Sequence, residues 1–477
     1  MSLVAMNTVA TNTFVLLDAL LAVTPSAADV LRVLTLADYN TRVVVIGTTL
    51  LGLAAGVVGS FMLLRKRALL GDALSHATLP GIAIAFIAAE AFGASGKSLP
   101  VLLVGATVTG ALGVGSVLLL RRYTRLKEDT ALGVVLSVYF GAGVALLGIV
   151  QQMQTGSAAG LESFIYGKTA SMVVSDAQLI GLAGLVVAVV CAVFYKEFKL
   201  LCFDPQYAAG QGWPVMLLDL MLMSLVVIVT VIGLQAVGLI LVIALLIIPA
   251  AAARFWSDRM SRMTLISAGI GGASCAFGAA LSAVLPRLPS GAMIVLVAFM
   301  IFILSMMFGP ARGIVPRLLA RRRLSRKVAR QHLLRAMYEM TEEREPSLLV
   351  RTTQDQVGAR LTTKELSQRR SWSTKQLESE LKTAEEDDLV ELSGDGWRLT
   401  EEGVTLARRV TRNHRLWETY LITYADVAPS HVDRDADMVE HVLGPAMTRE
   451  LEKILGRRDP DQQAELPSPH AMVEGRS

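Results

Sequence analysis

An aspartate and a histidine four residues apart, Asp72 and His76, lie in the run RKRALLGDALSHATLPG that spans Arg65–Gly81. On a helix this spacing puts both side chains on one face. Ionisable groups inside an otherwise apolar helix are expensive, and in membrane proteins they face a cavity, a partner or a substrate path. A carboxylate and an imidazole supply one hard and one borderline donor, a set suited to a divalent first-row metal. The spacing by itself equally allows the two groups to satisfy each other or to cap a neighbouring helix.

The surrounding chain must supply a low-dielectric scaffold, and its composition does so unevenly. Of 477 residues 53% are hydrophobic, and the mean hydropathy of +0.51 excludes an ordinary soluble globule. Residues 326–477 hold 23 Lys+Arg against 28 Asp+Glu, a net of −5, while residues 1–325 carry +9. One half reads as membrane with basic loops, the other as a charged soluble domain. Cys191, Cys202 and Cys275 are scattered with no CxxC spacing, so the sequence suggests neither a disulfide framework nor a zinc knuckle. No basic residue precedes the apolar stretch Phe14–Val23, so residues 1–41 read as an extracytoplasmic or interfacial segment rather than a secretory signal.

Apolar runs of membrane-spanning length occur near 42–64, 77–95, 99–120, 131–152, 176–194, 215–233, 236–253, 263–285 and 289–308, about nine spans. The stretch 215–253 can also divide differently around Gly233–Gly238. Gly52, Gly56 and Gly59, with Gly269 and Gly272, predict close helix approach. With nine spans, the basic loops Arg65–Arg67, Arg121–Lys127, Lys196–Lys199, Arg254–Arg262 and Arg312–Arg330 fall on one side. The positive-inside rule makes that side cytoplasmic, with the N-terminus outside. Asp219 reads as a carboxylate near a helix start that complements the dipole, Gln235 as the cap of an outer turn, and Glu90 as reaching headgroups. Pro249 reads as a kink within a span.

The run Arg67-Ala-Leu-Leu-Gly-Asp72-Ala-Leu-Ser-His76-Ala-Thr-Leu-Pro-Gly81 resembles the signature of the manganese/zinc/iron permease family of ABC importers. Further stretches are similar to that family in order: Glu128–Gly133, Phe164–Gly167, Phe203–Ala208 with Gly212, Val237–Ala253 and Pro289–Ala292. The resemblance covers about residues 42–310. It implies a bacterial inner (plasma) membrane permease subunit that works as a homodimer, or as a heterodimer with a related permease. It also implies that Asp72 and His76 line the path of Mn2+, Zn2+ or Fe2+, and that an extracytoplasmic metal-binding protein delivers the ion. No GxxxxGK[ST] occurs, so the chain is expected not to be an enzyme and the ABC ATPase to be another polypeptide. Asp204-Pro205 can start a short helix, and family order makes Asp204, Pro205 and Tyr207 the expected ATPase-coupling element.

After residues 311–329, a basic linker helix, the pattern changes. Thr362 with Glu365 reads as a capping box and Ser373 as a second cap; Asp388–Leu392 and Trp397–Thr400 flank a Gly394-Asp395-Gly396 turn. Helix, helix, hairpin over 330–400 is a winged-helix order. Residues 330–458 resemble metal-dependent repressors of the diphtheria-toxin and manganese-regulator type, making 401–458 a helical metal-binding and dimerisation domain and 459–477 a disordered tail. The resemblance implies a sensor site of His414, Asp437, Glu440 and His441, with Glu418 a further candidate, and Asp437 in place of a sulfur ligand tilts it towards Mn2+. It also expects two ligands on the first helix, where this chain has His332 and Arg335; a guanidinium cannot ligate a cation. DNA binding is disfavoured by the net charge and by Glu378, Glu380, Glu385, Glu386, Asp387 and Asp388 around the recognition helix.

The expected fold class is therefore an all-α polytopic membrane protein with a cytoplasmic α+β winged helix and a helical metal-binding/dimerisation domain. The expected function is a divalent-metal ABC permease whose soluble domain slows transport when cytosolic metal fills it. A membrane-tethered metal-dependent transcriptional regulator is the competing reading, and a secondary transporter a third.

Overall fold

The computed structural model describes residues 27–67, 70–93, 99–153, 169–285, 288–344, 359–369, 372–424 and 445–454. The expected Phe164–Gly167 element and the sensor residues Asp437, Glu440 and His441 lie outside them. The chain divides into two units, Met1–Arg317 and Leu318–Ser477.

In the first unit α1 (Ala27–Leu34) precedes α2 (Tyr39–Leu64), α3 (Leu70–Ala91), α4 (Leu99–Tyr123), α5 (Glu128–Gln152) and α6 (Val174–Val193). Two short helices follow, α7 (Tyr195–Phe203) and α8 (Pro205–Gly210). Then come α9 (Val215–Val237), α10 (Leu239–Ala253), α11 (Met260–Val284) and α12 (Ser290–Phe308). Eight of these helices are long and apolar enough to cross a membrane, and α10 is a shorter apolar helix of 15 residues. The expected run 215–253 divides at Gly238, whose φ of 85° is open to glycine and stops α9 before α10 begins. Outward-facing Val104, Val108 and Leu112 on α4, and Leu182, Leu185 and Val189 on α6, form apolar faces that suit lipid and would be a liability in water.

The centre of the unit is the α2–α11 contact. A side chain at Gly52 would put its Cβ 2.4 Å from the Gly271 carbonyl oxygen, and one at Gly56 would come equally close to the Ser267 carbonyl oxygen. With no Cβ there, the backbones approach closely enough for the Ser267 hydroxyl to donate to the Gly56 carbonyl at 2.6 Å. Gly269, expected to share this role, faces open space; Gly271 carries the contact instead.

The second unit contains most of α13 (Ile314–Arg344), which merges the expected linker and first helix. It continues with α14 (Thr363–Arg369), α15 (Thr374–Glu386), a hairpin of β1 (Val390–Ser393) and β2 (Gly396–Leu399), α16 (Glu401–Tyr424) and α17 (Pro445–Ile454). The strands pair antiparallel from Val390–Leu399 to Ser393–Gly396, and Gly394 takes the positive φ that the turn needs. Both sequence-read caps form: Glu365 accepts from the Thr362 amide at 2.8 Å, and Ser373 accepts from the Gln376 amide at 3.3 Å. Leu333, Met337, Leu366, Leu377, Leu381 and Leu399 close the core.

Candidate metal-handling sites

α3 begins at Leu70, so Asp72 and His76 occupy its first two turns instead of preceding the span. A carboxylate near a helix N-terminus is favoured by the dipole, which lowers the cost of Asp72 there. His76 Nε2 stands 3.3 Å from Asp72 Oδ1, and the side chains are 17% and 30% exposed. The imidazole packs edge-on against Phe140 with centroids 4.8 Å apart, while Nδ1 is buried without a hydrogen-bond partner among the described residues. The pair is thus half satisfied: one contact between its members, one ring nitrogen spare, and an opening to the protein surface. Such a pair can offer a passing cation an oxygen and a nitrogen without enclosing it. Ser75, between them in sequence, is buried and donates back to the Gly71 carbonyl at 2.7 Å.

The basic triplet before α3, read from the sequence only as a basic loop, is drawn into an ion cluster. Arg67 Nη1 donates to both carboxylate oxygens of Asp219, at 2.7 and 2.8 Å, and Arg65 Nη2 donates to Oδ1 at 2.9 Å. Asp219 is buried on α9, whose N-cap is Pro214, so its carboxylate serves two guanidiniums rather than a helix dipole. Arg65 Nη1 also donates to the Leu201 carbonyl at 2.9 Å on α7. Immediately after α7, Asp204 caps α8 by accepting from the Tyr207 amide at 2.9 Å, with Pro205 at the first helical position. One ion cluster therefore ties the start of the Asp72 helix to the segment carrying Asp204, Pro205 and Tyr207. Nothing in the sequence pairs residues about 150 positions apart; the only signal was a carboxylate inside an apolar run. Gln235 likewise does not cap a turn, and its side-chain amide donates to Asp176 on α6 at 3.3 Å.

In the second unit His414 on α16 is 2% exposed and Glu418 3%. His414 Nε2 lies 3.2 Å from Glu418 Oε1, and its Nδ1 lies 2.6 Å from Arg335 Nη1 on α13. Arg335 Nε is 3.1 Å from Glu339 Oε1, close enough for an ion pair though off the hydrogen-bond axis. Burial pushes the Glu339 carboxyl above its ordinary range, outweighing the pull of the Arg335 guanidinium. Beside it Arg415 pairs with Glu342; burial opposes its charge, but the Glu342 contact wins and holds it above its usual value. No group of three or more His, Cys, Asp or Glu able to hold an ion occurs among the described residues.

Residues 37–309 match the ABC 3 transport family, more than half of the chain. The chain belongs to that family. Residues 400–466 of the permease match the iron dependent repressor, metal binding and dimerisation domain. It is 37% identical over 423 residues to the manganese transport system membrane protein MntC of Bacillus subtilis, covering 88% of this chain and 93% of that one. It is 43% identical over 288 residues to the zinc transport system membrane protein TroC of Treponema pallidum, covering 60% of this chain and 95% of the relative. Among solved structures, PsaBC from Streptococcus pneumoniae in complex with Fab aligns with a TM-score of 0.52 at 28% identity, over 62% of this chain and all of that one. The permease is accordingly a multi-pass membrane protein of the metal ABC transporter type with a repressor-like C-terminal domain.

Proposed function

We propose that the permease carries a divalent first-row metal past Asp72 and His76, with Mn2+ favoured over Zn2+ and Fe2+. The half-satisfied Asp72–His76 pair carries this reading, since its spare ring nitrogen is buried and unpartnered within an apolar helix. The relative matched over 88% of the chain is a manganese transport protein, and oxygen with imidazole nitrogen suits that ion. Two donors per protomer let an ion dehydrate and leave; a full cage would hold it.

A separate ABC ATPase drives the cycle, docking on the helix capped by Asp204 and started by Pro205, with Tyr207 exposed beside them. Its stroke reaches the metal helix through Leu201, Arg65 and Asp219. An extracytoplasmic binding protein delivers the ion, and a second copy or a related permease completes the path. The basic loops face the cytoplasm, and DNA binding is not part of the function. The test is radiolabelled manganese uptake by cells dependent on this transporter. Asp72→Ala and His76→Ala should each stop uptake at unchanged membrane abundance; uptake at the parental rate would refute the assignment.

A further inference from the structure

The repressor-like match implies a divalent ion bound among helices of the second unit, with His414 among its ligands. Among the described residues, His414, Glu418 and Arg335 do not fit that ion. The Arg335 N–H donates to His414 Nδ1 at 2.6 Å, so Nδ1 is the acceptor nitrogen and the ring proton sits on Nε2, facing Glu418 at 3.2 Å. Both ring nitrogens are spent and no lone pair is left for a metal. The place of the cation is taken by a guanidinium that is itself 3% exposed and lies between His414 and Glu339. Charge agrees with geometry: half-buried Glu339 and buried Glu418 flank a permanent positive charge and a neutral imidazole. A divalent ion brought to His414 would meet that guanidinium at van der Waals distance, and like charges at such separations repel strongly in a buried site.

We propose that Arg335 is a resident cation that replaces the metal in this domain. It joins α13 to α16 as a shared divalent ion would join two ligand-bearing helices. The domain is therefore held in its folded, partner-ready form whatever the cytosolic metal level, and His414 is a structural acceptor rather than a sensor ligand. This goes beyond the transport reading and stands independently of it. It competes directly with a sensor built from His414, Asp437, Glu440 and His441.

The test is hydrogen–deuterium exchange on the full-length permease in detergent, following peptides that cover Leu333–Thr341 and Val410–Glu418, with EDTA or with saturating manganese chloride. Wild-type protection of both segments should be the same in the two conditions. Arg335→Ala in EDTA should lose protection there by about a hundredfold, the effect of leaving buried His414 and Glu418 and half-buried Glu339 without their cation, while the membrane helices keep theirs. Wild-type protection that falls in EDTA and returns with manganese would overturn the proposal. So would an Arg335→Ala protein as protected as wild type in EDTA. Should Arg335→Ala misfold throughout, the wild-type arm decides alone.

Discussion

Asp72–His76 and His414–Glu418 are both carboxylate–imidazole pairs one helical turn apart, at 3.3 and 3.2 Å, and by spacing alone they promise the same chemistry. Their surroundings separate them. The first pair is half-buried, packed on Phe140, and keeps one ring nitrogen without a partner among the described residues. The second is sealed and has its remaining nitrogen bonded to Arg335. An open, under-satisfied pair can exchange an ion, because binding replaces a missing contact. A closed, compensated pair resists one, because binding must first break a charge-assisted contact in a low dielectric. The difference teaches that donor type and spacing nominate a metal site, whereas the third neighbour decides whether the donors are free.

This contrast can be sharpened by disturbing the compensated side first. The largest effect on stability is expected at Asp219, the membrane unit's own closed cluster. Asp219→Ala leaves Arg65 and Arg67 without their shared carboxylate and should cost about 3–5 kcal/mol, read as a lowered thermal unfolding midpoint of the purified protein. A smaller effect is expected at the sealed pair. His414→Gln should destabilise the second unit by about 1–3 kcal/mol in denaturant titration, by leaving Arg335 and Glu418 short of one partner, yet leave manganese uptake unchanged. Uptake lost at full stability would erase the distinction between the two pairs. The smallest effect is at the surface. Hydrogen bonds from Arg344 and Thr362 hold the Glu365 carboxyl down at about 2, from an ordinary 4.5. A depressed carboxylate stabilises above its unfolded value, and that contribution fades as pH falls from about 4.5 through about 2. Glu365→Gln should flatten this acid limb only slightly, since exposed pairs contribute little.

Much of the scaffold was legible because it rests on local rules. Apolar runs located the membrane helices, Thr362 with Glu365 and Ser373 marked two helix starts, and Gly394 marked the hairpin. The motif around Asp72 pointed to the permease family that residues 37–309 match. What sequence order hid was non-local. Arg65 and Arg67 read only as a basic loop because their partner Asp219 lies on another helix, and Asp219 was assigned to the dipole of a helix capped by Pro214. The start of α3 was placed too late because polar Asp72, Ser75 and His76 masked its first turns. Gln235 found Asp176 across a helix pair, which no turn rule anticipates. Arg335 was visible as a departure from the repressor pattern, but its charge argued only against ligation. The contact with His414, 79 residues away, reveals what takes the ligand's place.

The central claim is that the open pair is wetted by a path for a divalent ion. Its most direct test is the initial rate of radiolabelled manganese uptake by cells carrying the double variant Asp72→Asn/His76→Gln, which keeps shape and removes charge and metal affinity. At membrane abundance matched to wild type, the rate should fall to that of cells lacking the transporter. A rate equal to wild type would contradict the account.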